Sequence, residues 1–399
     1  MNEKRTFTTV LLLTTTCILA ACGGAGGDQG PHSYLPPVQS IDIPVQTDDG
    51  WDTASLAAVG IDAAPIIDAV NEIRRGTYNE IHGLVIVKDG KLVLEEYGSG
   101  RMYSHGSPDF FGPVIDFDRD ELHIVHSVSK SYMSTLVGIA IQEGYIESER
   151  SSLLAQFPEH YDPDQPGKAD ILLEHVMSMT SGLEWNEWDV AALDFENSDA
   201  LRFQRALDPS AYFLGKPLLH EPGTSFYYNT GGFQMMGEVL RRSTGMPLDQ
   251  FAAQQLFDPL GITNFYWPQF EHGPVYIVGD IYLRPRDMAK LGQLVLQEGQ
   301  WDGQQIVPAE WFRRATTEFI SVTDIGFKGY SGYGHFWWLK SFNVGGETIE
   351  AIHADGLAGQ AIMIFPALDL VVVVTGGNYD RASLEHDLVA NHLLPAVIG

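Results

Sequence analysis

The stretch IVHSVSKSYM at residues 124–133 puts Ser127 and Lys130 three positions apart at the head of a predicted helix. Residues at positions i and i+3 of a helix lie on the same face, so the lysine amine can reach the serine hydroxyl. A serine hydroxyl is a weak nucleophile that needs a neighbouring base. Lysine can be that base where burial lowers the pKa of its amine. The spacing therefore predicts a nucleophile beside its base.

The helix behind this pair is predicted to be buried on all sides. Apolar side chains point in nearly every direction between Val128 and Ile141, and Gly144 is well suited to end the helix. The amino end of such a helix presents free N–H groups and a positive dipole, which suit an oxyanion. A Ser-x-x-Lys pattern nevertheless arises by chance in about half of chains with this composition. Further motifs therefore have to decide the function.

The composition of the chain argues against several classes of function. Its 399 residues carry a net charge of −28, with only 24 lysines and arginines in total. Nucleic acid binding needs clustered cations, so we predict no nucleic acid partner. We interpret the acidity as a solvated surface, although a salt-rich habitat would fit it as well. A hydrophobic content of 44% is enough for one large domain or two moderate ones.

Residues 1–22 have the pattern of a secretory signal rather than of a folded segment. Lys4 and Arg5 precede an apolar run that ends at Ala21 and is too short to span a bilayer. The final Leu-Ala-Ala-Cys resembles the lipobox of bacterial lipoproteins, which implies cleavage before Cys22 and lipidation of its thiol. The alternative is an ordinary signal peptide with a chance cysteine. The glycine after Cys22 resembles a signal for outer-membrane delivery, so we expect an exported lipoprotein on the periplasmic side of that membrane.

Both cysteines of the chain, Cys17 and Cys22, lie in this amino-terminal segment. The domain that follows would contain no disulfide and no thiol, which excludes a cysteine nucleophile and a Cys-ligated zinc site. Residues 23–50 are rich in Gly, Pro, Asp and Ser and predict a flexible linker, with one domain from 51 to 399. The His-x-x-His pair at 123–126 lacks a His-Glu-x-x-His pattern, so we expect no metal and no other cofactor.

Strand patterns lie at the beginning of this domain. Residues 82–87 and 91–95 are β-rich runs around an Asp-Gly turn, which is a strong signal for a hairpin. A helix over 64–75 precedes them, and residues 98–120 have the character of a loop.

Helical patterns follow, and strand patterns return only near the carboxy terminus. Predicted helices after the Ser127 helix cover residues 171–179, 233–243, 248–257, 284–298, 310–316 and 384–394. Predicted strands in the last part of the chain cover residues 333–339, 348–353, 360–365 and 370–374. Strands at both ends with helices between them predict an α+β fold, in which both chain ends form one antiparallel sheet. A mostly helical insertion would span about residues 147–275, and its acidic segment 184–199 would be a surface loop.

A second group of polar residues lies at 222–232, which read PGTSFYYNTGG and precede an apolar helix. A tyrosine can relay protons because its oxygen both donates and accepts, provided that cationic lysines lower its pKa. Tyr227 and Tyr228 are the two candidates. For either one, the alternative is an aromatic ring packed in the core with its hydroxyl bonded to backbone.

A third group lies at 353–360, which read HADGLAGQ and contain glycines at the entry to a strand. Glycine allows a close approach of the backbone to a ligand. A backbone N–H at this point could face that of Ser127 and complete an oxyanion hole. A simple glycine bend between two strands accounts for the same residues.

In this order, the three groups resemble the β-lactamase-related serine hydrolases. That family includes class C β-lactamases, D-alanyl-D-alanine carboxypeptidases, family VIII esterases and nylon-oligomer hydrolases. The resemblance extends from about residue 81 to residue 374, and stretches at 173–183, 256–262 and 284–288 support it. It implies a β-lactamase/transpeptidase-like fold and hydrolysis of an ester or amide through an acyl-enzyme.

The resemblance also implies roles for the matching residues. Ser127 would be the acylated nucleophile and Lys130 its general base. The family tyrosine falls on Tyr228, which would help to deprotonate the serine or to protonate the leaving group. The backbone N–H groups of Ser127 and Leu357 would form the oxyanion hole.

The assignment of the tyrosine leaves one alternative. Tyr228 keeps Phe226 two residues ahead of it, as in the family, whereas Tyr227 literally matches the pattern Tyr-x-Asn. If Tyr228 is the motif residue, Thr230 occupies the position of the family asparagine. We predict that Thr230 and Trp185 contribute to substrate binding.

The third motif departs further from the family. Ala354, Asp355 and Gly356 occupy the positions of Lys-Thr-Gly or His-x-Gly and lack the cationic residue. His353 lies one place earlier and would point to the other face of a strand. In the family this cation helps to bind a substrate carboxylate, so its absence favours esters or amides without that group. We predict that Asp355 and Gly356 contact the substrate.

A catalytically inactive, penicillin-binding-like lipoprotein of the cell envelope is the second hypothesis on the same fold. The presence of Ser127, Lys130 and a motif tyrosine favours the hydrolase. The expected partners are a small ester or amide substrate and, through the lipid anchor alone, a membrane.

Overall fold

The computed structural model describes residues 35–104, 107, 109–187, 190, 196–272 and 275–399. Its strands are β1 (Asp52–Thr53), β2 (Ile81–Lys88), β3 (Lys91–Tyr97), β4 (Ser99–Tyr103), β5 (Phe111–Asp116), β6 (His123–Ile124), β7 (Gln269–His272), β8 (Val275–Val278), β9 (Tyr282–Leu283), β10 (Gln300–Trp301), β11 (Gln304–Gln305), β12 (Ile320–Ser321), β13 (Gly332–Tyr333), β14 (Trp338–Val344), β15 (Glu347–Gly356), β16 (Gln360–Phe365) and β17 (Leu370–Gly376). Its α-helices are α1 (Ala63–Arg74), α2 (Val128–Gln142), α3 (Leu173–Met177), α4 (Asp199–Arg205), α5 (Pro209–Leu214), α6 (Thr230–Thr244), α7 (Leu248–Ala252), α8 (Pro285–Leu296), α9 (Ala309–Ala315), α10 (Glu385–Leu388) and α11 (Leu394–Ile398).

One large sheet joins the two ends of the chain. Its nine strands, counted over the described residues, follow the order β1-β3-β2-β17-β16-β15-β14-β13-β12. Neighbouring strands are antiparallel except β1 and β3, which run parallel at one edge. The pair β2–β17 connects the first part of the domain to the last. The prediction of one sheet formed from both chain ends is therefore confirmed, with a parallel edge strand added.

The four consecutive valines of β17 explain why this strand lies inside the sheet. Val371 and Val373 belong to one hydrophobic core, and Val372 and Val374 belong to the other. Successive side chains of a strand point to opposite faces, so a strand that is covered on both sides needs an unbroken apolar run. Helices α2 and α8 contribute to the first core, and α1 and α11 contribute to the second.

The insertion predicted at about residues 147–275 consists from 147 to 267, where it is described, of helices, turns and isolated bridges, and ends with strand β7, which pairs with β8. This agrees with the helical character that its sequence predicts. Helix α6 lies at its centre and packs against α2, α3 and α4. The insertion therefore brings the start of α6 close to the start of α2.

Two segments differ from the sequence-based expectation. Residues 98–120, expected to be a loop, contain β4 and β5, which pair as an antiparallel hairpin. Glycines and a proline within these short strands weaken their pattern. The strand expected at 333–339 is split, because Phe336 adopts a left-handed φ of 63° between β13 and β14.

The second half of the predicted linker, residues 35–50, is attached to the domain. Val38 N–H donates to the Asn71 side chain at 2.8 Å, and the Asn71 amide donates back to Val38 O at 3.1 Å. Farther along, Val45 O accepts from the Arg286 guanidinium. Residues 1–34, with the predicted signal and Cys22, lie outside the described residues. Among those that are described, no helix combines the length and the apolar character needed to cross a bilayer.

Candidate active site

The turn before α2 fixes the position of Ser127. Val125 N–H donates to Ile281 O at 2.9 Å, and the Ser129 hydroxyl accepts from Ile281 N–H at 3.0 Å. His126 follows with a left-handed φ of 48°. This conformation costs energy for a residue other than glycine and is concentrated at functional sites. The chain enters α2 directly afterwards, so the Ser127 side chain stands at the amino end of the helix.

Helix α2 is buried, as its sequence predicts. Every residue from 128 to 140 is buried, and Gly138 lies so close to the Trp311 ring that a Cβ atom would come within 2.4 Å of it. Lys130 lies in this covered part and is only 3% exposed. Burial penalises its ammonium form and so lowers the pKa of the Lys130 amine. The lysine therefore meets the first requirement for a base.

Three side chains converge at the start of α2. Lys130 Nζ lies 3.0 Å from Ser127 Oγ, and the Tyr228 hydroxyl donates to the same oxygen at 2.8 Å. The Asn229 side chain caps α6 by accepting from Gly232 N–H at 2.9 Å, which puts Tyr228 immediately before that helix. The amino ends of α2 and α6 therefore face each other across the serine hydroxyl.

Of the two candidate tyrosines, the structure brings Tyr228 to Ser127. Tyr228 is 6% exposed, and burial raises the pKa of its phenol well above the usual value. The lowered tyrosine pKa expected from the sequence is therefore not found, because desolvation has the largest effect on this group. A neutral phenol can donate a hydrogen bond and a proton, so Tyr228 is suited to be a donor.

An aromatic wall that the sequence motifs do not mark lies against this tyrosine. The ring of Trp338 stacks on Tyr228 with centroids 6.1 Å apart and an interplanar angle of 10°. Tyr330 stacks on Trp338 at 4.6 Å, and Tyr333 meets it edge-on at 4.6 Å. These contacts hold the phenol in a fixed orientation. Trp338 opens β14, and its position beside α6 depends on the tertiary fold rather than on a local pattern.

Thr230 and Trp185, which were expected to bind substrate, converge on a carboxylate that sequence reasoning missed. Glu187 accepts from Thr230 N–H at 2.8 Å, from the Thr230 hydroxyl at 2.5 Å and from the Trp185 indole N–H at 2.8 Å. Trp185 and Glu187 are each 4% exposed, so the surface loop expected at 184–199 is wrong for these two residues. The chain turns inward there because the indole packs against Gly231, where a Cβ atom would lie 2.3 Å from the ring.

The glycine-rich group at the end of β15 lies against the turn before Ser127. A Cβ atom on Gly356 would come within 2.5 Å of Val125 O, so the two backbones can approach only because this residue is glycine. The next residue, Leu357, carries the backbone N–H predicted as the second oxyanion donor. The close approach of Gly356 keeps that segment beside the nucleophile.

Asp355 is engaged by a cation that comes from another part of the chain. Lys328 Nζ donates to both Asp355 oxygens, at 2.8 and 3.1 Å, and to Glu385 at 3.1 Å. No local pattern in the sequence marks Lys328 as a partner of this motif. His353 points to the face opposite Ala354, as predicted, and its Nε2 atom lies 3.2 Å from Nε2 of His386.

Comparison with known proteins agrees with this geometry. The family model described as Beta-lactamase matches residues 76–392. The 6-aminohexanoate-dimer hydrolase of Paenarthrobacter ureafaciens is 25% identical over an alignment of 273 residues that covers 64% of this chain and 66% of that protein. The chain thus spans just under two thirds of the length of this relative.

Solved structures show the same fold. A family VIII carboxylesterase superposes with a TM-score of 0.62 at 18% identity, over 84% of this chain and 99% of the other. A penicillin-binding protein homologue from Caulobacter crescentus gives a TM-score of 0.61 at 16% identity, also over 84% and 99%. The resemblance predicted from the three motifs is therefore confirmed at the level of family and fold.

Proposed function

Because the chain belongs to the beta-lactamase family and has its β-lactamase/transpeptidase-like fold, we propose that it is a serine hydrolase acting on an ester or amide through an acyl-enzyme. One observation carries the proposal. Ser127 Oγ lies 3.0 Å from a buried lysine amine and accepts a hydrogen bond of 2.8 Å from a buried phenol. A base and a proton donor thus each lie within hydrogen-bond reach of one nucleophile.

The proposed reaction begins with attack of Ser127 Oγ on the substrate carbonyl carbon. The uncharged Lys130 amine takes the serine proton, and the carbonyl oxygen becomes an oxyanion. The N–H groups of Ser127 and Leu357 donate to that oxyanion, with the amino end of α2 adding a positive dipole. Tyr228 gives its proton to the leaving group as the bond to it breaks, and the Lys130 ammonium returns a proton to the Tyr228 oxygen, so both groups regain their starting forms. Water then attacks the acyl-enzyme, which releases the acid and returns a proton to Ser127.

The substrates we propose are esters or amides that carry no carboxylate near the scissile bond. The position that would hold a cation is Ala354, and the nearby Lys328 is already bound by Asp355 and Glu385. Two of the similar proteins are named a 6-aminohexanoate-dimer hydrolase and a family VIII carboxylesterase, which supports an amide or ester bond as the target. Asp355 and Gly356 would border the leaving group. Thr230 and Trp185 would affect the site indirectly, through their hydrogen bonds to Glu187.

We also propose that the protein is attached to the cell envelope by a lipid on Cys22. The lipobox-like Leu-Ala-Ala-Cys and the short apolar run before it support this location. Metabolic labelling with a radioactive fatty acid tests it, because the full chain should incorporate label and the C22S variant should not. Label in both would contradict the anchor, and label in neither would favour an ordinary signal peptide.

The experiment that tests the activity compares Ser127→Ala with Ser134→Ala. The Ser134 hydroxyl is buried in the same helix and has no hydrogen-bond partner among the described residues, so its loss should leave activity unchanged. Turnover of a p-nitrophenyl ester should disappear in S127A, together with covalent labelling by a fluorophosphonate. Full activity in S127A would refute the assignment. A wild-type protein that neither hydrolyses nor labels would instead be the inactive, binding lipoprotein.

A further inference from the structure

A buried carboxylate that takes part in no step of the reaction above lies near Lys130. Glu187 is 4% exposed, and its two oxygens accept three hydrogen bonds from Thr230 and Trp185. Burial of a carboxylate costs several kcal/mol unless a positive charge or hydrogen bonds compensate for it. The segment that carries Glu187 is also drawn into the core by the packing of Trp185 on Gly231. Such an arrangement fixes one negative charge at a defined place.

That place adjoins the Lys130 amine. Lys130 Nζ lies 5.0 Å from the centroid of the Tyr228 ring and 5.2 Å from the centroid of the Phe233 ring. Thr230, which holds Glu187 through its N–H and its hydroxyl, lies between these two residues in the first turn of α6. The amine and the carboxylate are therefore held at the same end of one helix, in a region from which most solvent is excluded.

We propose that Glu187 is a positioning residue for Lys130, whose carboxylate is the counter-charge of the ammonium ion that forms when Ser127 loses its proton. This inference rests on the proposed function and names a further group in it. As the Ser127 O–H bond breaks and the new N–H bond forms on Lys130, a positive charge appears in a buried site. A carboxylate already held by three hydrogen bonds can stabilise that charge without having to reorganise.

Electrostatics around the amine agree with this role. Burial lowers the pKa of Lys130, whereas the Glu187 carboxylate, and after it Asp280, act to raise it. The Asp280 carboxylate is bonded to the His126 ring at 3.1 Å. Burial also raises the pKa of Glu187, while the Thr230 and Trp185 hydrogen bonds and the Lys130 charge act in the opposite direction. Glu187 is thus the leading negative charge in the surroundings of the base.

A purely structural role for Glu187 makes a different prediction. A carboxylate at the amino end of a helix stabilises that helix through its dipole, whatever its effect on a lysine. The Glu187→Gln variant separates the two roles, because its carbonyl oxygen can accept both N–H groups and its amide can donate to the Thr230 hydroxyl. It removes the charge and keeps the hydrogen bonds. The Trp185→Phe variant does the reverse, since it loses one hydrogen bond and keeps the charge.

The test measures the pH dependence of kcat/KM and, independently of turnover, the titration of Lys130 by NMR of labelled lysine. In E187Q the Lys130 pKa and the acid limb of kcat/KM should move to lower pH, and the plateau should fall about tenfold to a hundredfold. In W185F the limb should stay at the wild-type pH even if the melting temperature falls. Glu187→Asp, which keeps the charge, should also keep the limb. An unchanged Lys130 titration in E187Q, or an equal displacement in W185F, would overturn the inference.

The NMR titration also distinguishes this failure from a failure of the proposed function. If Ser127→Ala retained full turnover, the acyl-enzyme would be refuted while the effect of Glu187 on the Lys130 titration could still be observed. If S127A were inactive and E187Q left Lys130 unchanged, the hydrolase would stand and the counter-charge would be wrong.

Discussion

Lys130 and Lys328 are both largely buried, yet they are surrounded by different groups. The Lys130 amine lies against the hydroxyl of Ser127, and 3% of the residue is exposed. The Lys328 amine donates to the carboxylates of Asp355 and Glu385, and 26% of its side chain is exposed. Burial lowers the pKa of Lys130, whereas the two carboxylates raise the pKa of Lys328. One lysine is suited to be a base and the other to be a permanent cation.

The difference teaches that burial alone does not decide the chemistry of a lysine. Desolvation acts against the ammonium form at both sites. Two carboxylates in direct contact outweigh it at Lys328, while Lys130 contacts a neutral hydroxyl and relies on charges farther away. The same reasoning explains why Lys328 does not replace the cation that the motif lacks at Ala354, because its charge is already compensated by Asp355 and Glu385. That lysine neutralises its own neighbours rather than a substrate.

The largest expected effect comes from replacing each lysine by arginine, which stays protonated and cannot be a base. Lys130→Arg should lower kcat/KM by about 10²- to 10⁴-fold, because general base catalysis is lost. Lys328→Arg keeps a cation between Asp355 and Glu385 and should retain activity within about threefold, since the charge that compensates the two buried carboxylates is preserved. Ester hydrolysis by the two purified variants checks this. Equal losses in both would remove the distinction between base and cation.

A second comparison concerns the free energy of unfolding, which replacement by methionine should change in opposite directions at the two lysines. Lys328→Met leaves Asp355 and Glu385 without a counter-charge and should cost about 3 kcal/mol, as for other broken buried ion pairs. Lys130→Met removes a desolvated amine and should raise the free energy of unfolding by about 1 kcal/mol, at the expense of activity. Urea unfolding at neutral pH measures both. A loss of stability in K130M would show that its amine is stabilised as an ion.

The pH dependence of these two effects follows from the direction of each shift. A lysine whose folded pKa lies below its unfolded value makes stability rise with pH between the two, so the gain in K130M should be largest in acid. For Lys328 the folded pKa is raised, and its contribution is fully present below the unfolded pKa. The cost of K328M should therefore be constant across neutral pH and decline only in strong base.

The third prediction uses activity to report the protonation of Lys130. Attack by Ser127 needs the uncharged amine, so kcat/KM should fall about tenfold for each pH unit below the Lys130 pKa. The raised pKa of Tyr228 keeps its phenol protonated through the neutral range, so no basic limb from that group is expected there. A pH–rate profile of the wild type, with K328R as the matched control, measures this. If the acid limb of kcat/KM moved in K328R, the limb would report the titration of Lys328 rather than of Lys130.

How much of this site could be predicted from the sequence depends on how local each contact is. Ser127 and Lys130 are three residues apart on one helix, so their spacing alone predicts that they meet. Tyr228 could be located by the position of Phe226 and the helix that follows. The sheet from both chain ends also follows from the order of strand and helix patterns, because that order leaves few ways to bury the strands.

The parts that were missed depend on contacts between distant segments. Glu187 lies in an acidic stretch that predicts a surface loop, and it is buried only because Trp185 packs on Gly231 from another element. Lys328 reaches Asp355 from a loop 27 residues earlier in the chain. Neither contact leaves a periodic pattern. Thr230 in place of the family asparagine marked a departure from the motif, but it predicted neither Glu187 nor Lys328 as a partner.

The smallest expected effect tests how Lys328 divides its charge between its two carboxylates. Burial raises the pKa of Asp355 to about 6, while Lys328 holds the pKa of Glu385 at about 2. Since the folded pKa of Asp355 lies above its unfolded value, folding takes up a proton between about pH 4 and 6, and this contribution to stability is lost as pH rises. Asp355→Asn should abolish that decline in urea unfolding measured across this pH range. In Glu385→Gln the decline should become smaller but remain, because the Glu385 charge is one of the causes that raise the Asp355 pKa. A decline that persists in D355N and disappears in E385Q would assign the shared proton to the other carboxylate.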